Sequence, residues 1–289
     1  MAKAPEREGI MLCYPISERR IERLGHDTYC VQPKLNGDRA RTVWFAELPY
    51  LVSSYGLEIK HVPHINEAIR DQIPPGIKLD GELYVHGMRL EDIHSIVSRK
   101  VNKHNDSIVI QYHVFDIQDE SMIQLERSMK LRELDLKPPL FMVPTDTVRG
   151  TMDKLSDAMI HWVNEGYEGS ITRTWTNRYV EKRSIEVMKW KPKEEDAYRI
   201  IGVKEGEGWA RGMLGAFLVA GDDGTPFYVG TGALLTKAER QRLWKHKDSL
   251  PGKLLLVRHE PMQTVKGIPK CATAHKLIED TTFQATIIG

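Results

Sequence analysis

Two hydrophobic periods alternate along this chain. Apolar residues recur every third or fourth position in some stretches and every second position in others, the spacings of buried helices and half-buried strands. Ile65, Ala68, Ile69 and Ile73 predict a helix over 62–73, stopped by Pro74, Pro75 and Gly76. Helices are likewise predicted over 17–24, 90–99, 125–136 and 155–164. The clearest alternation lies at 77–85, with Ile77, Leu79, Leu83 and Val85 on one face and Asp80, Glu82, Tyr84 and His86 on the other. Further strands are predicted over 40–45, 48–53, 107–117, 140–143 and 185–191. A short apolar run, Tyr29 to Val31, ends at Pro33 and is followed by Lys34 and an Asn36-Gly37 pair. Asn-Gly predicts a tight hairpin turn with both central residues at positive φ. That reading puts Lys34 at a strand end, beside a turn and ahead of a second strand.

After Pro192 the pattern changes. Lys193, Glu194, Glu195 and Asp196 form a charged stretch that reads as a hinge between two domains, 1–192 and 193–289. Beyond it, strands are predicted over 197–203, 213–220, 227–231, 253–260 and 274–279, with one helix over 236–247. Five strands with a helix after the third fit a small OB-type barrel. A length of 289 residues suits two domains, and 41% hydrophobic with 28% charged residues is an ordinary globular balance. The formal net charge of +1 means that a nucleic-acid partner must be met by a local basic face. Cys13, Cys30 and Cys271 are widely spaced, without disulfide or zinc-ligand pattern, which points to a reducing cytoplasm. The polar start, 1–9, is no signal peptide, and no apolar run reaches membrane-spanning length.

Candidate chemistry is scattered through the first domain. Lys34 is a candidate amine nucleophile, and such an amine must lose its proton, which cationic neighbours or burial favour. Asp80 and Glu82 form either a solvated outer face or a hard-cation or ribose site. Lys189 and Lys191 share one strand face and repel each other unless an anion lies between them. Phe115 is either core or a platform for a base.

Taken in order, these segments resemble the motifs of covalent nucleotidyltransferases, and specifically of minimal two-domain ATP-dependent DNA ligases. Residues 34–39 (Lys-Leu-Asn-Gly-Asp-Arg) look like the nucleotidylation motif Lys-x-Asp-Gly-x-Arg. Residues 79–83, 112–116, 165–173 and 189–191 resemble the four motifs that follow it. The resemblance covers nearly the whole chain. It implies an α+β fold: an ATP-grasp-like adenylation domain of antiparallel sheets with flanking helices, then the OB-fold barrel. It further implies that Lys34 attacks the α-phosphate of ATP and carries AMP, and that Gln32 reads the adenine edge while Phe115 stacks on the base. Glu82 and Arg39 then contact the ribose side or the nick, Glu168 with Glu82 holds Mg²⁺ or Mn²⁺, and Lys189 and Lys191 hold phosphates. Three steps are implied: lysine adenylation, AMP transfer to a 5′-phosphate, and attack by a 3′-hydroxyl.

Four positions depart from the family pattern. Asn36 stands for the usual aspartate, and Ser54 falls where an arginine clamps the 5′-phosphate, with Arg41 or Arg99 as substitutes. Residues 267–271 carry lysine for arginine, and Lys276 is the nearest candidate for a basic C-terminal motif. ATP is favoured over NAD because no nicotinamide-binding module precedes Lys34. The expected partner is nicked duplex DNA, gripped by a monomer through phosphate contacts at 99–103 (Arg99, Lys100, Lys103) and 240–247, with Arg41 nearby. RNA ligases and capping guanylyltransferases share the first motifs, and a catalytically silent nucleic-acid binder is the alternative of another class.

Overall fold

The computed structural model describes residues 7–221, 224–263 and 268–278, and the chain divides into two compact units, Met1–Lys191 and Pro192–Gly289. The first unit carries β1 (Leu12–Pro15), β2 (Thr28–Pro33), β3 (Asp38–Phe45), β4 (Leu48–Ser53), β5 (Glu58–Ile59), β6 (Leu79–Tyr84), β7 (Gln111–Ile117), β8 (Leu140–Met142), β9 (Asp146–Arg149), β10 (Ser170–Thr174) and β11 (Arg183–Trp190). Its helices are α1 (Glu18–Leu24), α2 (Pro63–Gln72), α3 (Leu90–Val97), α4 (Gln124–Glu133) and α5 (Met152–Asn164). The strands form two sheets, ordered β1-β11-β10-β2-β9 and β5-β4-β3-β6-β7-β8. Neighbours run antiparallel except β1 with β11 and β7 with β8.

The predicted helices form because their apolar stripes meet a sheet. Ile65 and Ile69 of α2 and Ile93, Ile96 and Val97 of α3 are buried with Leu79, Leu83 and Val114 of the second sheet. Leu155 and Trp162 of α5 and Ile21 of α1 are buried with Tyr29, Val31 and Met188 of the first. Tyr167 packs against both clusters.

Three expectations are corrected. Residues 34–37 are not a hairpin turn, because β2 and β3 lie in different sheets and neither Asn36 nor Gly37 adopts positive φ. The segment crosses from one sheet to the other. Gly37 serves close approach instead, since a Cβ there would lie 2.2 Å from the Leu83 carbonyl oxygen. The strand predicted over 107–117 begins only at Gln111, because Asn105–Val109 is a 3₁₀ turn in which the His104 ring accepts from Asp106 N–H at 3.1 Å. Asp80 does not lie on a solvated outer face, for it is fully buried.

The sequence also hid a charge cluster. Asp116 on β7 accepts from Arg127 Nε at 2.8 Å and from Arg173 Nη1 at 2.9 Å, and all three side chains are buried. Arg127 on α4 donates further to the Met122 carbonyl (2.8 Å), Gln124 Oε1 (2.8 Å) and the Asn177 carbonyl (3.1 Å). Because Arg173 lies on β10 and Asp116 on β7, the cluster bonds one sheet to the other.

The second unit holds β12 (Glu194–Glu205), β13 (Leu214–Ala220), β14 (Pro226–Val229), α6 (Lys237–Lys245), β15 (Leu254–Gln263) and β16 (Pro269–Ile278). They form one antiparallel sheet ordered β14-β13-β12-β15-β16. Ile200, Phe217, Val219, Leu243, Leu255 and Val257 are buried together, and Thr236 caps α6 by accepting from Glu239 N–H at 3.3 Å. No pairing among the described residues closes the sheet into a barrel. The stretch read as a hinge is already strand, with Glu194, Glu195 and Asp196 opposite His259, Arg258 and Val257. Arg240 is not a free surface cation, because it is buried and donates to the carbonyls of Leu214 (2.8 Å), Gly215 (2.9 Å), Gly230 (2.7 Å) and Leu235 (3.0 Å).

Removing one partner of a buried ion cluster leaves an uncompensated charge in low dielectric. Arg127→Ala is therefore expected to destabilise the first unit by about 3–5 kcal/mol in urea unfolding. A loss below about 1 kcal/mol, as for an exposed pair, would show that the cluster does not hold the sheets together.

Candidate active site

Lys34 follows the last residue of β2 and stays in register with the chain entering β10. Its N–H donates to the Gly169 carbonyl at 2.8 Å, and its carbonyl accepts from Glu168 N–H at 3.1 Å. Gly169 has φ of 149°, and a Cβ on it would meet the Trp190 carbonyl oxygen at 2.1 Å. Backbone pairing at a glycine thus brings Glu168 beside Lys34. The Lys34 ammonium forms an ion pair with Glu168 Oε2, and the Lys191 ammonium forms one with Oε1. Burial disfavours the charged carboxylate, but the two lysines outweigh it and hold Glu168 below the usual carboxylate value. Lys191 lies one residue beyond β11, and Lys189 on that strand has no ion pair among the described residues.

Glu82 on β6 faces the same crossing and accepts from Gly37 N–H at 3.3 Å. Burial pushes its pKa from 4.5 up to about 7, against the pull of Lys34 and Arg39. Asp80, two residues earlier, is withdrawn from the cleft. It accepts from Arg39 Nε at 3.0 Å and Nη2 at 2.6 Å, and from the Tyr179 hydroxyl at 2.7 Å. The bidentate pair fixes the Arg39 guanidinium 5.2 Å from the Phe115 ring centroid, while that of Arg173 lies 5.3 Å from the same centroid. The carboxylate that anchors each arginine is buried, so both guanidiniums are held in place beside Phe115.

Gln32 is also buried. Its Nε2 donates to the Phe115 carbonyl at 3.1 Å and to Thr145 Oγ1 at 3.0 Å. A backbone carbonyl only accepts, which fixes which end of the amide is nitrogen. Gln32 Oε1 is then a buried acceptor with no hydrogen-bond partner. Such an atom costs about 1–3 kcal/mol unless a ligand satisfies it.

These groups line one cleft of about 490 Å³, which contains Gln32, Lys34, Asn36, Arg39, Glu82, Phe115, Glu168, Lys189 and Lys191. The size suits a nucleotide-sized ligand. Ser54 lines it too, but Arg41, Arg99, Lys100 and Lys103 do not. Arg41 packs against Gly9, and Arg99, Lys100 and Lys103 are exposed elsewhere. In their place Arg7 lines the cleft, held near Ser54 by the Glu8 N–H donated to the Ser54 carbonyl at 3.1 Å. Arg7, Arg173, Asp116 and Tyr179 were not anticipated as site residues, although Asp116 and Arg173 lay within segments already singled out, 112–116 and 165–173. Among the described residues, Glu82 and Glu168 do not gather a third side chain into a metal-ligating group. Among the described residues such a group is Glu194, Asp196 and His259 of the second unit.

The raised pKa of Glu82 makes stability depend on pH. The folded chain holds this proton more tightly than the unfolded chain, so the stabilisation is complete below about 4.5 and is lost as pH rises toward about 7. Glu82→Gln is expected to flatten the fall in melting temperature over that window. Equal slopes in wild type and variant would show that Glu82 does not titrate there.

Comparison with known proteins bears on this site. No curated protein matches the chain. Among solved structures, Pmar-Lig_Pre aligns with a TM-score of 0.79 at 22% identity, over 94% of this chain and 68% of that one. A Lig E DNA ligase aligns with a TM-score of 0.74 at 22% identity, over 93% of this chain and 99% of that one. The ATP-dependent DNA ligase of bacteriophage T7, in complex with ATP, aligns with a TM-score of 0.57 at 15% identity, over 93% and 98%. At these identities the likeness is one of fold. The model of the ATP dependent DNA ligase domain matches residues 10–191, which contain every residue lining the cleft except Arg7. That match spans more than half of the sequence, and the chain belongs to the ATP-dependent DNA ligase family.

Proposed function

We propose that this ligase seals 5′-phosphate/3′-hydroxyl nicks in duplex DNA through a lysyl-AMP and then a DNA-adenylate. The observation that carries the reading is the pairing, in one cleft, of the Lys34 amine with the orphaned Gln32 acceptor. Gln32 Oε1 accepts from the exocyclic amine of adenine. Guanine would present an oxygen there and leave two acceptors facing each other, so ATP is favoured over GTP. Phe115 packs on the base, and Glu82 and Arg39 face the ribose side.

In the first step Lys34 Nζ attacks the α-phosphorus, a P–N bond forms, the bond to the β-phosphate oxygen breaks, and pyrophosphate leaves. Glu168, already in contact with Lys34, takes the proton from Nζ. Lys189 and Lys191 offset the charge that develops on the phosphates. In the second step an oxygen of the 5′-phosphate attacks the AMP phosphorus and Lys34 leaves. In the third the 3′-hydroxyl attacks the activated 5′-phosphorus and AMP leaves. Mg²⁺ or Mn²⁺ supplies further charge neutralisation. Glu168 and Glu82 would hold it with phosphate oxygens completing its shell, since Mg²⁺ is commonly bound through one or two carboxylates plus substrate phosphates. The second unit, read as an OB barrel, closes on the duplex, and the protein acts as a cytoplasmic monomer.

Incubation with α-labelled ATP and Mg²⁺ is expected to label the wild type through denaturation, and Lys34→Ala is expected to stay unlabelled. Chasing the label with nicked DNA should yield sealed strands. Transfer to nicked RNA alone would redirect the reading to an RNA ligase, and an unlabelled wild type that carries no AMP by mass would overturn it. Gln32→Ala is expected to raise the KM for ATP about tenfold, the loss of roughly one hydrogen bond. An unchanged KM would remove Gln32 from base recognition.

A further inference from the structure

A second cavity in the first unit, of about 280 Å³, is lined by Arg19, Arg20 and Arg23 of α1 with Tyr14, Ser17 and two apolar residues. No carboxylate lines it. The guanidinium of Arg20 lies 4.9 Å from the Tyr14 ring centroid and that of Arg183 lies 5.4 Å from it. Both are also tied to the backbone of β1. Arg20 Nη1 donates to the Pro15 carbonyl at 2.6 Å, and Arg183 Nη1 donates to the Cys13 carbonyl. Each retains further N–H groups for a ligand.

Arg19 and Arg23 stand four residues apart on one helix face, exposed and without ion pairs among the described residues. Glu18 and Glu22 of the same helix form no ion pair with them among those residues. Like charges at this spacing destabilise a helix slightly unless an anion joins them. Three arginines around one cavity, with the guanidiniums of Arg20 and Arg183 pre-oriented at its Tyr14 ring, suit the bidentate geometry of a phosphate. Cys13 lines the cleft and the next residue, Tyr14, lines this cavity, so β1, an edge strand, carries residues of both.

We propose that this arginine pocket binds a backbone phosphate of the duplex DNA on which the cleft acts. The inference rests on the nick-sealing reading above. It adds to the phosphate contacts expected of 240–247, where Arg240 is buried and Arg242 is paired with Glu239.

The test compares wild type with Arg19→Ala/Arg23→Ala for binding of a nicked duplex across a salt series. Each phosphate contact contributes about 0.9 to the slope of log affinity against log salt. The double variant is expected to lose about one to two units of slope and to bind about tenfold more weakly at low salt. Labelling by ATP without DNA reports that the variant is folded. A labelled variant with unchanged slope and affinity would overturn the pocket while leaving nick sealing intact. A labelled wild type that binds no duplex would overturn both. If inorganic pyrophosphate protects the pocket arginines from a guanidinium-modifying reagent and nicked duplex does not, the site belongs to a free phosphate and the DNA assignment falls.

Discussion

The bond between Asp116 and its two arginines is the constraint on which the first unit depends. Two sheets must meet around a polar cleft, and apolar packing alone does not set how they meet. A carboxylate on β7 that holds Arg127 from α4 and Arg173 from β10 does set it, because charge-assisted hydrogen bonds tolerate little displacement. Asp80 is the register partner of Asp116 across β6 and β7. Two buried carboxylates side by side repel strongly at low dielectric. They persist because Arg39, Arg127 and Arg173 bring three positive charges to two negative ones. The excess is positive, and Arg39 and Arg173 bring it to the Phe115 ring, where it favours an anionic ligand.

A second constraint is the way Glu168 reaches Lys34. The two residues are far apart in sequence, and their approach is a matter of backbone. Lys34 N–H donates to the Gly169 carbonyl and Glu168 N–H to the Lys34 carbonyl, which extends the β2–β10 ladder past its last regular pair, and β11 leaves no room for a side chain at Gly169. Gly37 plays the same part against β6. Both glycines are therefore spatial requirements of the cleft. That differs from the turn chemistry which an Asn-Gly pair suggests in isolation.

The parts of the fold that were legible in the sequence are those set by local period. The helix over Ile65 to Ile73 and the strand around Leu79 to Leu83 are written in apolar spacing, as are the second unit's strands between their glycine-rich turns. What was not legible is what local period cannot carry. Alternation at 77–85 places Asp80 and Glu82 on one face, but what covers that face lies far along the chain, as the Tyr179 hydroxyl does, 99 positions beyond Asp80. The β9 strand escaped because it is an edge strand with mostly exposed residues and no apolar alternation. Arg240 looked like a solvated cation because a basic helix face resembles one until the carbonyls it meets are known. The candidate site fared better, since its residue types carry chemistry wherever they fall. Lys34, Glu82, Phe115, Glu168, Lys189 and Lys191 do meet in one cleft. Arg7 could not be read, because nothing in its neighbours ties it to Ser54.

Asn36 can now be weighed by the charge around it. The cleft wall carries Arg7, Lys34, Arg39, Arg173, Lys189 and Lys191 against Asp38, Glu82 and Glu168. Glu168 is spent on two lysines, and Glu82 holds its proton up to about 7. The cleft thus stays cationic in a chain whose formal net charge is only +1. An aspartate at 36 would add a fourth acidic group to the cleft wall, and would raise the cost of ionising Glu82 further. Asparagine keeps a hydrogen-bonding side chain at the crossing without that charge. The departure is therefore compatible with a cleft built to receive phosphates, because the cations that must meet them are already present and fixed.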